Sequence, residues 1–155
     1  MRIALVGFMG AGKTSVGRRL AKALRTPFVD LDELVEEFEG RTIPSLFTES
    51  EEVFRQAERR ALATLMTQDC VLATGGGTPL RSMDTLLEWG IVVFLDAPLS
   101  VLSERVGSGI DRPVWSEAAE RYALRQPIYS RAHHRIDATQ TVAAQVRMIR
   151  ELVCA

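Results

Sequence analysis

The chain contains no asparagine, two cysteines, and only two lysines among its 19 basic residues. Each shortage excludes something. Without asparagine the N-K-x-D motif that reads guanine cannot occur, so a GTPase is disfavoured. Cys70 and Cys154 lie far apart, which leaves neither a zinc spacing nor a disulfide framework and fits a reducing compartment. Cys70 opens an apolar run and is expected to be a small core residue. No 18-residue apolar run exists, so no membrane span is expected. The first residues enter a strand directly, so no signal peptide is expected, and the default location is cytoplasmic. A net charge of −1 gives no global field for nucleic acid. Internal repeats, linkers and low-complexity segments are also missing.

What is present is ordinary in bulk and specific in detail. The 155 residues are 46% hydrophobic and 25% charged, as in a soluble globular protein with one core. Four short apolar runs, Ile3–Val6, Phe28–Leu31, Val71–Ala73 and Ile91–Leu95, are continuous rather than alternating. That pattern predicts parallel strands covered on both faces, with His134–Asp137 as a weaker fifth. Helical stripes separate them. Val16, Leu20 and Leu24 form one, and Phe54, Ala57, Ala61, Leu62 and Leu65 a second. Leu99, Leu102 and Val106 form a third, and Val142, Val146, Ile149 and Val153 a fourth. Strands alternating with helices predict an α/β fold, a doubly wound parallel sheet with helices on both faces, whose ligands sit at the carboxyl ends of the strands. Arg41–Ser50, with Pro44, reads as a short helix and a turn. Gly107–Pro113 reads as a mobile loop.

The first strand runs straight into Gly7-Phe8-Met9-Gly10-Ala11-Gly12-Lys13-Thr14, the pattern G-x-x-x-x-G-K-T between a strand and a helix. The glycines let successive backbone N–H groups face a phosphate, and the following helix adds its positive end. In this pattern Lys13 can reach the β- and γ-phosphates of a nucleotide, and the Thr14 hydroxyl can ligate Mg²⁺. One of the two lysines therefore stands where a compact ammonium suits the chemistry better than a planar fork. The alternative is a Gly-rich turn with no ligand.

Asp30 and Asp32 end the second strand, and alternation there puts both carboxylates on one side, facing the phosphates. One would hold the water shell of Mg²⁺; the other would align or deprotonate an attacking hydroxyl. Alternatively, Asp32 caps a helix beginning Glu33-Leu34. Gly75-Gly76-Gly77, after the third strand, permits close approach of a ligand, or simply turns into a helix before Pro79. Arg55 and Glu58, three apart, read by themselves as a solvated surface pair. Arg112-Pro113 offers a guanidinium to a transferring phosphoryl group. Arg125 with Tyr129 is a second anion fork or a plain helix face. His133 and His134 receive no role.

Taken in order, Gly7–Thr14, Asp30/Asp32, Phe47…Glu51…Phe54-Arg55…Glu58, Gly75–Gly77, Arg112-Pro113 and Arg125…Tyr129 resemble the shikimate kinases over nearly the whole chain. The resemblance implies a single three-layer P-loop kinase domain over 1–155, with a five-stranded parallel sheet in order 2-3-1-4-5. It implies a substrate-binding segment near 32–60 and a lid near 107–116. It implies a monomer that transfers the γ-phosphate of ATP, with Mg²⁺, to the 3-hydroxyl of shikimate in aromatic amino-acid biosynthesis. ATP would be held by Gly10, Ala11, Gly12, Lys13, Thr14, Ser15, Arg105 and Arg112. Shikimate would be held by Asp32, Arg55, Gly75, Gly76, Gly77 and Arg125, with Glu58 orienting Arg55. Lys13, Asp32 and Arg112 would be catalytic, and Thr14 with Asp30, through water, would serve the metal. The family pattern carries a glycine before the glutamate of F-x-x-x-G-E-x-x-F-R. Here Phe47–Arg55 is one residue shorter and has none, so a different turn ahead of Arg55 is expected. Val114-Trp115 stands where leucines are common. The competing expectations are another P-loop kinase, acting on a sugar acid or nucleoside monophosphate, and a nucleotide-binding homologue without turnover.

Overall fold

The computed structural model describes residues 1–106 and 115–155. Arg112 and the loop Gly107–Pro113, most of the expected lid, lie outside the described residues.

Strand β1 (Ile3–Val6) is completely buried at all four residues, which is why its run is continuously apolar. It pairs in parallel with β3 (Val71–Ala73) on one side and β4 (Ile91–Asp96) on the other. β2 (Phe28–Asp30) and β5 (His134–Asp137) are the edges, giving the order β2-β3-β1-β4-β5. On edge strand β5 only Ile136 is buried, which explains its weak sequence signal. His133 Nδ1 accepts from the Val92 amide at 2.9 Å, a contact at the start of this edge that sequence reasoning left without a role.

The helices are α1 (Lys13–Leu24), α2 (Leu31–Glu39), α3 (Ile43–Glu49), α4 (Glu51–Ala63), α5 (Pro79–Trp89), α6 (Leu99–Val106), α7 (Trp115–Tyr129) and α8 (Val142–Val153). Crossovers between parallel strands are right-handed. The chain moves one way along the sheet from β1 to β2, then the other way through β3, β4 and β5. The α1 crossover therefore falls on one face and the later crossovers on the other. Consistently, α8 packs back on α1, and α5 packs on α7 and β4. The reversal leaves a crevice beyond the carboxyl end of β1, where the glycine-rich loop begins.

Local caps place the elements around that crevice. Thr42 and Ser50 accept from the Ser45 and Val53 amides at 3.2 and 3.0 Å, opening α3 and α4. Ser50 stands where the family pattern has glycine. Its backbone is extended (φ −173°, ψ 159°), a conformation any residue adopts, so this turn does not require glycine. The Trp89 indole donates to the Leu65 carbonyl at 3.0 Å and pins the end of α5 to the turn after α4. Cys70 is buried, as expected, and burial raises its thiol pKa to about 11. Among the described residues no helix is long and apolar enough to cross a membrane.

Candidate active site

The loop between β1 and α1 is built to leave donors free. Gly12 occupies the N-cap of α1 with φ 91°, and Gly10 has φ 83°, left-handed values that side chains resist. Among the described residues no side chain caps α1, which leaves the N–H groups of its first turn for an anion. Lys13 folds back over the loop, and its Nζ donates to the carbonyls of Gly7 at 2.6 Å and Phe8 at 3.2 Å. Burial lowers its pKa to about 8. The Arg125 charge adds to this, while Asp32 and Asp30 oppose it. A cavity of about 330 Å³ opens on Gly10, Gly12, Lys13, Thr14, Ser15 and Arg105. A neighbouring one of about 310 Å³ adds Ala11 and the turn into α8. The Arg105 guanidinium spans the two, donating to the Gly10 and Ala11 carbonyls at 3.4 and 3.5 Å and to the Ala138 carbonyl.

Asp30 and Asp32 come to this loop, but not by extended alternation. β2 ends at Asp30, and Asp32 lies in the first turn of α2. Asp30, not Asp32, is the cap: its Oδ1 accepts from the amides of Asp32 at 3.0 Å and Glu33 at 3.3 Å. Its Oδ2 accepts from the Thr14 hydroxyl at 3.1 Å, which joins α1 and α2 at the phosphate end. Asp32 is left to project into the crevice. Its pKa rises to about 6, first through burial and then through the Asp30 and Glu58 carboxylates, with Lys13 pulling the other way.

The spacing Arg55–Glu58 by itself suggested a surface pair; the structure overturns that. Arg55 is 7% exposed and Glu58 2%. Each Glu58 oxygen has a donor: Arg55 Nη1 at 3.1 Å on one, and the Thr78 hydroxyl at 2.8 Å on the other. Thr78, which sequence reasoning missed, is fully buried. Its position directly after three glycines is the only signal that could have found it.

The glycine run shows what these side chains face. A Cβ on Gly75 would lie 3.1 Å from Asp32 Oδ1. One on Gly76 would lie 3.2 Å from Arg125 Nη1, and one on Gly77 would lie 2.3 Å from Arg55 Nη2. Three consecutive glycines thus underlie one carboxylate and two guanidiniums, brought from three different helices. The Tyr129 hydroxyl fixes this floor by donating to the Gly76 carbonyl at 2.5 Å. Arg125 lies over the Phe8 ring, its Cζ 5.6 Å from the centroid, which ties it to the phosphate loop. Phe8 was not singled out from sequence, since its position in the loop pattern is variable.

We expect Gly77→Ala to displace the Arg55 guanidinium, because the added methyl has no room beside it. The KM for the acceptor should rise roughly ten- to a hundredfold while the KM for ATP holds, read from initial rates against each substrate.

A phosphate loop at the switch point of a 2-3-1-4-5 parallel sheet, opening on two guanidiniums and a carboxylate, defines a small-molecule kinase of the P-loop class. Within that class, the chain belongs to the shikimate kinase family. The family model for shikimate kinase matches residues 9–153. A shikimate kinase of Sulfurihydrogenibium sp. is 37% identical over 152 residues, covering 93% of this chain and 92% of that protein. The crystal structure of shikimate kinase from Bacteroides thetaiotaomicron superposes with a TM-score of 0.91 at 30% identity, covering 100% of this chain and 99% of that one. That of shikimate kinase from Acinetobacter baumannii, in complex with shikimate, gives 0.89 at 36% identity, covering 99% and 92%. The protein is therefore an ATP-dependent kinase acting on a small molecule.

Proposed function

We propose that this chain transfers the γ-phosphate of ATP to the 3-hydroxyl of shikimate, giving shikimate 3-phosphate and ADP, and that 1–155 forms the single kinase domain that does so. The convergence of Arg55, Arg125 and Asp32 on Gly75–Gly77 beside the phosphate loop carries this reading. Two guanidiniums suit one carboxylate: paired N–H···O contacts from each fix both position and orientation. The acid held there would present a ring hydroxyl to Asp32, and the backbone of Gly75, Gly76 and Gly77 would line its other hydroxyls.

The triphosphate would lie along Gly10, Ala11, Gly12, Lys13, Thr14 and Ser15, with Arg105 beside the base. Lys13 would neutralise charge on the β- and γ-phosphates. Thr14 and Asp30 fit a hydrated Mg²⁺, since a hydroxyl and a carboxylate stand together at the loop. When bound, the ion would neutralise phosphate charge. Asp32 would accept the proton of the attacking hydroxyl. Arg112 retains its role as a lid arginine on the resemblance alone. Such positioning supplies roughly 7–11 kcal/mol of a barrier, and phosphoryl transfer needs mainly positioning and charge neutralisation.

Mixing the protein with ATP, Mg²⁺ and shikimate should release ADP only when shikimate is present. ADP release that ignores shikimate would overturn the assignment.

The raised Asp32 pKa gives the reaction an acid limb. Below about pH 6 the carboxyl is protonated and cannot take a proton, so kcat/KM should fall about tenfold per pH unit there. The same shift bears on stability. The folded pKa exceeds the ordinary 3.8, so the charge destabilises the fold above about pH 6, and relief is complete below about 3.8. Asp32→Asn should abolish the limb along with most turnover, and should raise Tm at pH 7. A lowered Tm would contradict this account of the site.

A further inference from the structure

We propose that Thr78 is a positioning residue for the acceptor. Its hydroxyl occupies one oxygen of Glu58, which stops Arg55 from closing into a two-pronged pair with that glutamate and keeps the second edge of the guanidinium for the substrate carboxylate. This inference deepens the acceptor half of the reading above and rests on it. Thr78 is fully buried at the entry to α5, and its backbone is fixed on both sides. Its amide donates to the Gly75 carbonyl at 3.2 Å, and its carbonyl accepts from the Ser82 amide at 3.1 Å.

The hydroxyl is not spent on its own helix. Thr78 is the N-cap of α5, a position where a threonine oxygen ordinarily accepts from a first-turn amide. Here the backbone is already helical (φ −53°, ψ −46°), and among the described residues the side chain makes no capping bond. It donates instead to Glu58 Oε2 at 2.8 Å, while Arg55 Nη1 donates to Oε1 at 3.1 Å. Asp32 Oδ1 lies at the same glycine, 3.1 Å from a Cβ on Gly75 against 3.2 Å for the Thr78 oxygen. A hydroxyl has one proton, and this one goes to Glu58. The division of Glu58 matters because a carboxylate and a guanidinium favour two parallel N–H···O bonds. With Oε2 taken, Glu58 holds Arg55 through Nη1 alone. Nη2 stands against Gly77 on the glycine floor, and Nε is 3.8 Å from Glu51, too far for a hydrogen bond. Without the hydroxyl, Oε2 would be a buried charged acceptor lacking a donor. The neighbouring guanidinium, already on Oε1, could turn to supply one, and would then give up the edge that the acceptor needs.

The test compares Thr78→Val, which keeps the shape without the hydroxyl, with Thr78→Ser, which keeps the hydroxyl. Steady-state rates should show Thr78→Val raising the KM for shikimate roughly tenfold with the KM for ATP unchanged, and Thr78→Ser restoring the wild-type KM. In a Glu58→Gln background the same Thr78→Val change should alter the shikimate KM by less than about twofold, since the hydroxyl acts through that carboxylate. A substrate-free crystal structure of Thr78→Val should show Arg55 bonded to both Glu58 oxygens. A lowered Tm with the shikimate KM unmoved would mean that the hydroxyl only satisfies a buried charge, and would overturn the proposal. So would equal rises in both KM values, or a full effect that survives Glu58→Gln. If Thr78→Val does not fold, Thr78→Ala carries the same comparison without a branched methyl. A wild type whose ADP release ignores shikimate would show that the acceptor assignment has failed; Arg55 still on one Glu58 oxygen in Thr78→Val would show that this inference has.

Discussion

Lys13→Ala is expected to lower kcat by roughly three orders of magnitude, with ADP release under saturating ATP and shikimate as the readout. The ammonium is not a loosely tethered surface charge. It is held by the carbonyls of Gly7 and Phe8 over the loop, and burial has already lowered its pKa to about 8. A cation kept partly desolvated gains most when phosphate oxygens arrive, and it requires little reorganisation as charge develops in the transition state. Lys13→Arg should rescue little. The guanidinium is larger and planar, and it cannot donate to two carbonyls of one tight loop while pointing a compact charge at the γ-phosphate. Retention of a tenth or more of wild-type kcat in Lys13→Ala would remove this lysine from the chemistry.

Arg55→Ala should raise the KM for shikimate by roughly a hundredfold or more and leave the KM for ATP near its wild-type value. A second effect must be separated from the first. Arg55 and Glu58 are buried together, and deleting one leaves the other as an uncompensated interior charge, at a cost of about 3–5 kcal/mol. Arg55→Ala is therefore expected to unfold at a markedly lower temperature. The double variant Arg55→Leu/Glu58→Gln removes both charges and should recover most of that Tm without recovering the KM. If the double variant also recovers the KM, the guanidinium acts through the fold and does not grip the acid.

Much of this architecture is written in local pattern. β1, β3 and β4 are buried on both faces, so their residues read as unbroken apolar runs, and the loop after β1 has a motif whose glycines adopt positive φ angles. Helices α5 and α7 are harder to see, because α5 opens directly from the glycine run and α7 carries Pro127 in its interior. Parts of the site resist sequence reading for a different reason. The Arg55–Glu58 spacing is identical in a surface pair and a buried one; Thr78, 20 residues beyond Glu58, decides between them. The alternation Asp30-Leu31-Asp32 reads in sequence as extended strand. Capping by Asp30 instead turns the chain into α2 after one residue and sends Asp32 into the crevice by a helical route. Ser50 shows how a departure from the family pattern is accommodated: an extended backbone and a serine cap open α4 without a glycine.

The central claim is that one small acid sits between the guanidiniums of Arg55 and Arg125 with its reactive hydroxyl at Asp32. A crystal structure of the protein with shikimate and ADP tests this most directly. The account predicts carboxylate oxygens about 3 Å from both guanidiniums and the 3-hydroxyl within hydrogen-bond reach of Asp32, on the side of the phosphate loop. An acid bound elsewhere, or bound with its carboxylate toward Lys13 and its hydroxyls toward Arg55, would contradict it.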